Sequence, residues 1–203
     1  MLTHLRLGVD EVGRGALCGP VVCAAVVLDQ AGEAYLRRLG LRESKQLSSQ
    51  QRQRWAPQIQ DMALAWHIAW AEPWEIDALN ILQATLLAMR RAIAAIPVTP
   101  DLCLVDGNHP IPDLPHPQRT VIEGDRREIP IAAASVLAKV WRDEYLCRLS
   151  REYPVYDLAR NKGYASPTHR QALQRYGPSS IHRLSFLPCQ VSQAKLLGVS
   201  VSA

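Results

Sequence analysis

Four acidic side chains in this sequence lie beside apolar runs and close to glycines that permit a sharp turn. They are Asp10 and Glu11 after LRLGV, Asp106 after LCLV, and Asp125 in GDRRE. Mg²⁺ and Mn²⁺ prefer hard oxygen ligands in proteins and often share them with water and substrate phosphates. Two such ions about 3.5–4 Å apart can position the attacking water and the leaving oxygen of a phosphodiester. The four carboxylates are therefore suited to a divalent-metal site for phosphodiester hydrolysis.

Each of these acids also has a simpler interpretation when it is taken alone. An acidic residue at a strand end is often solvated or caps a following helix, and Asp125 can equally pair with Arg126 or Arg127. Asp10 and Glu11 add a geometric condition, because successive side chains of a regular strand point to opposite faces. We therefore expect the strand to stop or bulge there if both residues bind one ion.

The turn Gly13-Arg14-Gly15 that follows the first acidic pair suits a polyanionic ligand. Glycines without Cβ atoms allow another backbone to approach closely, and Arg14 can form a two-pronged contact with a phosphate. The glycine spacing does not match G-x-G-x-x-G, and Pro20 begins a predicted strand rather than a helix. This context excludes a Rossmann dinucleotide site. A tight hairpin with a solvated arginine is the alternative interpretation.

The elements that must position these residues follow from the hydrophobic pattern. Apolar runs predict strands at 6–9, 20–28, 64–71, 102–105 and 120–122. Helical spacing and capping residues predict helices at 31–39, 48–62, 73–96, 129–149 and 167–176. This order predicts an α/β chain with a mixed sheet. Candidate carboxylates at the ends of strands agree with the edge at which open α/β sheets place their sites.

Composition and charge limit the class of protein. The 203 residues are 48% hydrophobic and carry a net charge of +4, which fits one globular domain and permits a nucleic-acid partner. The five cysteines are widely spaced and form no CxxC, so we expect reduced thiols rather than disulfides or a zinc site. With no apolar stretch of signal-peptide or membrane-spanning length, we expect a cytoplasmic protein without a membrane partner.

An ordered set of segments resembles bacterial ribonuclease HII, the type 2 ribonuclease H family. The matching segments are GVDEVGRGALCGPVV, ESKQLS, AEPWEIDALNILQATLLAMRRAI, LVDGN, IEGDRREIPIAAASVLAKVWRDE, NKGYASPTH and RYGPSSIHRLSF. They cover nearly the whole chain in the order of the family. The resemblance implies a ribonuclease H-like mixed β-sheet flanked by helices. It also implies a single domain over 1–203, in which about 150–203 form a helical C-terminal extension packed on the catalytic part.

The same resemblance implies an activity and a site. The activity is endonucleolytic hydrolysis of the RNA strand of RNA–DNA hybrids, with incision 5′ of single ribonucleotides embedded in duplex DNA. It would use one or two Mn²⁺ or Mg²⁺ ions and leave 3′-hydroxyl and 5′-phosphate ends. The implied metal-binding catalytic residues are Asp10, Glu11, Asp106 and Asp125. The implied substrate-binding residues are Gly13, Arg14 and Gly15, with Tyr164 reading the ribose-to-deoxyribose junction.

Two further residues and two rival functions complete the expectations. Lys45 and Asn80 are predicted to contact phosphates, although lone polar residues of this kind are usually solvated. Glu123 stands where the family has a lysine, which reverses a charge beside the metal site. We expect a monomer that acts on hybrid and ribonucleotide-containing DNA. The rival functions are a non-catalytic hybrid-binding protein and another ribonuclease H-like nuclease, such as a resolvase or transposase core.

Overall fold

The computed structural model describes residues 4–197, and the rest of the predicted C-terminal tail, 198–203, lies outside the described residues. Within this range the chain divides into two compact units. The first, which we call the sheet unit, comprises 4–12, 22–70 and 85–141. The second, the helical unit, comprises 13–21, 71–84 and the described residues from 142 onward. The prediction of one domain with a helical extension from about 150 stays a prediction.

Five strands form one mixed sheet, as predicted. They are β1 (Arg6–Val12), β2 (Val21–Leu28), β3 (Ala65–Ala71), β4 (Leu102–Asp106) and β5 (Gln118–Val121), in the spatial order β3-β2-β1-β4-β5. Strand β1 pairs antiparallel with β2 and parallel with β4, and β4 pairs parallel with β5. The carboxyl ends of β1 and β4 therefore lie at the same edge of the sheet.

Helices flank this sheet and make up most of the helical unit. They are α1 (Gln30–Arg38), α2 (Ser49–Met62), α3 (Pro73–Leu79), α4 (Ile81–Ala94), α5 (Gly124–Arg127), α6 (Ile129–Leu149), α7 (Leu158–Asn161), α8 (Pro167–Tyr176) and α9 (Leu187–Leu197). Short 3-10 helices occupy Ser44–Gln46 and Pro154–Tyr156. Within residues 4–197, no helix combines the length and the hydropathy that crossing a bilayer requires.

Tight packing of α6 on β1 fixes the strand that carries the first acidic pair. All eight residues of β2 are buried, and the small side chains Ala133, Ala134 and Ala138 of α6 are buried in the same core. A Cβ atom added at Gly8 would collide with the backbone of Pro130 and Ile131, so only glycine fits there. The start of α6 thus lies directly against β1, two residues before Asp10.

The structure corrects two expectations about individual elements. Strand β1 does not stop at Asp10, because its pairing with β2 continues to Val12, although its pairing with β4 ends at Val9. The helix predicted at 73–96 is two helices separated by Asn80, whose φ is 69°. The Oδ1 of Asn80 accepts hydrogen bonds from the backbone N–H groups of Leu82 and Gln83 and so caps α4.

Candidate active site

Three of the predicted carboxylates meet at one edge of the sheet. Oxygens of Asp10, Glu11 and Asp106 lie within 4.8 Å of one another. Asp10 and Glu11 belong to β1 and Asp106 is the last residue of its parallel neighbour β4, which explains how distant parts of the sequence converge. The Oδ1 of Asp10 accepts a hydrogen bond of 2.6 Å from the backbone N–H of Glu11, which turns this carboxylate toward its neighbour. The expected break in the strand is therefore not needed for the two residues to approach.

Asp106 is held in place by a glycine on the next connection. The backbone N–H of Gly124 donates a hydrogen bond of 2.8 Å to Asp106 Oδ1. A Cβ atom at Gly124 would lie 3.1 Å from that oxygen and 2.5 Å from Cδ1 of Ile131. Only a residue without a side chain can bring its N–H so close to the carboxylate, so this glycine orients Asp106.

Asp125 lies beside the three-carboxylate cluster and adjoins Lys45. The Nζ of Lys45 is 3.7 Å from Asp125 Oδ2, and the lysine side chain is 82% exposed. Arg126 forms its ion pairs with Glu43 and Glu123, at 3.0 and 3.2 Å. Pairing with Arg126 is thus not what fixes Asp125, and the charge of Glu123 is partly offset by that arginine.

The charges in this cluster repel one another in the protein without a cation. Burial raises the pKa of Asp10 well above its ordinary value, and the charges of Glu11 and Asp106 raise it further. Burial and the charge of Asp106 also raise the pKa of Asp125, while Lys45 opposes this shift. Several carboxylates that share a partly buried space need a positive counter-charge. The donor set therefore fits a hard divalent cation.

A hydrogen-bond network around the buried side chain of Glu43, which the sequence analysis missed, supports the loop carrying Lys45. Glu43 is 3% exposed, and burial opposes its ionisation, but hydrogen bonds from Arg126 and Gln46 outweigh this and lower its pKa. The backbone N–H of Ser44 donates to Ser135 Oγ on α6 at 3.1 Å. The only sequence signal was the segment ESKQLS, since a buried glutamate cannot be recognised from its type.

The two glycines of the Gly13-Arg14-Gly15 turn, in the helical unit, have different surroundings. Gly13 has a φ of 89°, and a Cβ atom there would collide with the guanidinium of Arg142. A Cβ atom at Gly15 would have no atom within 4 Å. Arg14 is exposed. The fold therefore requires glycine at the first position, whereas the second position leaves open space for a ligand.

Two buried arginines, which the sequence analysis did not identify as functional, shape this turn. Arg142 donates to the carbonyls of Cys18, Pro20 and Lys162 at 2.9–3.1 Å. Arg183 donates to the carbonyls of Arg14 and Gly19 at 2.8 and 3.0 Å.

Both side chains of this arginine pair, Arg142 and Arg183, are 0% exposed. Burial, followed by the charge of Arg142, lowers the pKa of Arg183 to about 9. The hydrogen bonds of both guanidinium groups go to backbone carbonyls, which carry no net negative charge. The turn is therefore built on a cationic base that favours polyanions.

Tyr164 presents a partly exposed ring from a tightly bonded turn. The side chain is 37% exposed, and the guanidinium carbon of Arg142 lies 5.6 Å from the ring centroid. The backbone N–H of Tyr164 donates to the carbonyl of Asn161, whose own Oδ1 accepts from the N–H of Gly163. The ring is thus available for contact while its backbone is fixed.

Asn80 is exposed, and its oxygen is used to cap α4. Its predicted contact with phosphate stays a prediction, as does that of Lys45. The structure does give Lys45 a place beside the carboxylates.

Comparison with known proteins connects this geometry to one family. The model of the family Ribonuclease HII matches residues 7–189. The chain is 58% identical over 185 residues to the ribonuclease HII of Acaryochloris marina, covering 91% of this chain and 93% of the relative. It is 52% identical over 191 residues to the ribonuclease HII of Trichormus variabilis, covering 94% and 85%.

Solved structures share the fold at lower sequence identity. The ribonuclease H2 of Pyrococcus horikoshii has a TM-score of 0.84 and 23% identity, covering 95% of this chain and 99% of that one. Bst-RNase HIII in complex with Mn²⁺ has a TM-score of 0.78 and 21% identity, covering 95% and 70%. The mixed sheet flanked by helices is thus the fold of these enzymes.

Proposed function

Because this chain belongs to the ribonuclease HII family, hydrolases that cleave RNA within RNA–DNA hybrids, we propose that it also incises 5′ of single ribonucleotides embedded in duplex DNA. Both reactions would leave 3′-hydroxyl and 5′-phosphate ends. The observation that supports the proposal most directly is the convergence of Asp10, Glu11 and Asp106 within 4.8 Å. This arrangement offers several oxygen ligands in one place, as hydrolysis of a phosphodiester requires.

We assign the binding of one or two Mn²⁺ or Mg²⁺ ions to Asp10, Glu11, Asp106 and Asp125. Cations bound there would supply a nucleophilic hydroxide at neutral pH and stabilise charge on the leaving oxygen. The task of the protein is to hold the carboxylates ready. Asp106 is oriented by the N–H of Gly124, and Asp10 by the N–H of Glu11. Lys45 adds a positive charge beside Asp125 that favours phosphate.

We assign recognition of the ribonucleotide to the Gly13-Arg14-Gly15 turn and Tyr164. The 2′-hydroxyl distinguishes RNA from DNA at a given nucleotide, and backbone groups beside Gly15 can bond to it because no atom crowds that position. The ring of Tyr164 would pack on the neighbouring deoxyribose and reject bulk there. The 2′-hydroxyl is read and does not attack the phosphorus, so no cyclic phosphate is expected.

The decisive experiment maps cleavage of a duplex that contains one ribonucleotide, with Mg²⁺ and then with Mn²⁺. Asp10→Asn and Asp106→Asn should each lower kcat at least about 100-fold, because each removes a charge that the reaction needs. Asp113→Asn, an equivalent change at an exposed loop position, is the control and should retain the wild-type rate.

Three outcomes would contradict the proposal. Near-normal rates for both carboxylate variants would reject the assigned site. Binding of hybrid without any cutting would favour the non-catalytic alternative. Cutting of branched all-DNA substrates would favour a resolvase-like nuclease.

We further propose that the enzyme works as a monomer in the cytoplasm. All five cysteines lie among the described residues, and none forms a disulfide bond, which suits a reducing compartment. Light scattering coupled to size-exclusion chromatography would test the oligomeric state, and a dimer would contradict it.

A further inference from the structure

A buried pair of histidines lies beneath the tyrosine to which we assign junction recognition. His169 on α8 is 0% exposed and His182 is 2% exposed. Their Nε2 atoms are 3.1 Å apart, so one ring donates a hydrogen bond to the other. The Nδ1 of His169 lies 3.0 Å from the carbonyl oxygen of Tyr164. The pair therefore links the interior of the helical unit to the backbone of the exposed tyrosine.

The direction of these hydrogen bonds follows from one backbone group. The N–H of Ser179 can only donate, and it lies 3.1 Å from Nδ1 of His182, which directs the lone pair of that nitrogen toward Ser179; the hydroxyl of Ser179, 3.0 Å from the same nitrogen, can donate to it as well. A neutral His182 then carries its proton on Nε2 and donates it to Nε2 of His169. His169 in turn carries its proton on Nδ1 and donates to the carbonyl of Tyr164.

The surroundings of the pair keep both rings neutral and in place. The ring of Tyr156 packs edge-on against His169 and His182, with centroids 5.9 and 4.6 Å away, and its hydroxyl donates to the carbonyl of Gly177. Burial lowers the pKa of both histidines. A charged ring would moreover bring a proton on Nδ1 against the N–H of Ser179, which cannot accept it, so only the Oγ of Ser179 would be left as an acceptor.

The thiol of Cys18 approaches the pair, and the three residues offer ligand atoms within 4.8 Å of one another. A metal ion would need a lone pair from each imidazole. The hydrogen bond from Ser179 to Nδ1 of His182 assigns the proton of that ring to Nε2. The Nε2 lone pair of His169 is then used to accept the hydrogen bond from His182. The hydrogen-bond pattern therefore favours a link between the two rings over a metal site.

The link restricts the backbone of Tyr164. Its carbonyl accepts from both Nδ1–H of His169 and the N–H of Ser166, at 3.0 and 2.8 Å. The N–H of Tyr164 donates a hydrogen bond to the carbonyl of Asn161. The ring is 37% exposed, so the turn fixes the backbone and leaves part of the ring open to solvent. Preorganisation of this kind improves recognition by lowering the entropy lost on binding.

We propose that His169 and His182 are positioning residues for recognition of the ribonucleotide junction, acting through the carbonyl of Tyr164. They contact neither the scissile phosphate nor the metal ligands in this proposal. The inference rests on the function proposed above for Tyr164, and it adds the device that sets the orientation of that residue.

The test measures junction preference, which is kcat/KM on a single-ribonucleotide duplex divided by kcat/KM on an all-RNA hybrid. Removing the donor with His169→Phe should lower this ratio about tenfold, the effect of one well-formed hydrogen bond on a binding group. His169→Asn keeps an N–H at the position of Nδ1 and should recover the ratio to within about threefold of wild type.

A double-mutant cycle separates action through Tyr164 from an independent effect. Tyr164→Ala should lower the junction preference, and adding His169→Phe to it should cause no further loss. An equal additional loss in that background would overturn the inference while leaving the role of Tyr164 intact. If Tyr164→Ala itself left the preference unchanged, the proposed role of the tyrosine would fail, and the inference with it.

Two further measurements keep the proposal testable if His169→Phe does not fold. Nitrogen-15 NMR of the wild-type protein at pH 7 should show His169 protonated at Nδ1 and His182 protonated at Nε2, both neutral. The opposite tautomers, or one bound zinc ion per chain on addition of Zn²⁺, would overturn it. Tyr156→Phe removes a neighbouring hydroxyl but no bond of the pair, so its junction preference should match wild type.

Discussion

The two glycines of the Gly13-Arg14-Gly15 turn show how one residue type serves two purposes. At Gly13 the backbone has positive φ and the adjacent space is filled by Arg142. At Gly15 the space is open and φ is not positive. The first glycine therefore belongs to the packing of the turn, and the second is available for binding.

This difference predicts that substitution by alanine affects stability at Gly13 and substrate binding at Gly15. Gly13→Ala should lower the free energy of unfolding by about 2–4 kcal/mol, because strain at positive φ adds to a collision with a buried arginine. Gly15→Ala should fold normally but raise KM for a single-ribonucleotide duplex, because its methyl group enters the space left for the ligand. Urea unfolding and steady-state kinetics on both variants would show this. Equal losses of stability would contradict it.

Burial of His182 predicts a dependence of stability on pH. Burial, followed by the charge of His169, lowers its pKa from 6.5 to about 4. As pH falls through this window, the unfolded chain binds a proton that the folded chain does not, so about 3 kcal/mol of stability is lost. The groups facing the ring are His169, Tyr156, Ser179 and the thiol of Cys18.

The measurement compares urea unfolding of wild type and His182→Gln between pH 7 and pH 4. Glutamine does not titrate but can still donate to His169, so the variant should lose less stability over this range. The lowered pKa of His169 acts in the same direction in both proteins, so the difference between the two profiles reports His182 and its interaction with His169. Identical pH profiles would show that His182 titrates normally in the folded state.

At the scale of elements, the sequence predicted the convergence of the carboxylates because parallel strand ends meet at one edge. It did not predict the end of β1, since backbone pairing with β2 continues after the apolar run has ended. It also missed the break between α3 and α4, because their apolar residues keep one helical period through Asn80. The spacing of apolar residues indicates which face of a helix is buried, but it does not indicate a local change in φ.

The break at Asn80 allows its capping role to be separated from the predicted phosphate contact. Asn80→Ala should lower the free energy of unfolding by about 1 kcal/mol, because the N–H groups of Leu82 and Gln83 lose their acceptor. Asn80→Asp keeps the acceptor and should be as stable as wild type. If Asn80 contacts a phosphate, the added negative charge should nevertheless raise KM. An unchanged KM for Asn80→Asp would leave capping as its only role.

For the whole molecule, the repulsion among Asp10, Glu11 and Asp106 links metal binding to stability. A cation that binds the folded chain at 100 times its dissociation constant should add about 2.7 kcal/mol to the free energy of unfolding. Thermal unfolding with increasing Mn²⁺ should therefore show a rising Tm for wild type and a much smaller rise for Asp106→Asn. A Tm that Mn²⁺ leaves unchanged in wild type would contradict the assigned site.

The structure of the whole molecule also shows why some functional residues cannot be identified from the sequence. Arginine is almost never fully buried, so nothing in the sequence marked Arg142 and Arg183 as interior side chains. Their partners are backbone carbonyls, which every residue possesses and no motif reveals. The family resemblance indicated the turn and the tyrosine, whereas the supporting arginines can be identified only from the three-dimensional structure.

The hydrogen bonds that Arg142 and Arg183 donate to main-chain oxygens near the turn have an evolutionary consequence. The carbonyls of Arg14, Cys18, Gly19 and Pro20 accept the same bonds whatever side chains stand there. These hydrogen bonds therefore set no requirement for side-chain type along the segment, and the requirement for glycine at position 13 comes from packing against Arg142. Neither Arg142 nor Arg183 can be exchanged for lysine in the same way, since a lysine lacks the planar fork that reaches several oxygens at once. Selection through these hydrogen bonds should therefore act on Arg142 and Arg183 themselves and not on the side chains whose carbonyls they bind.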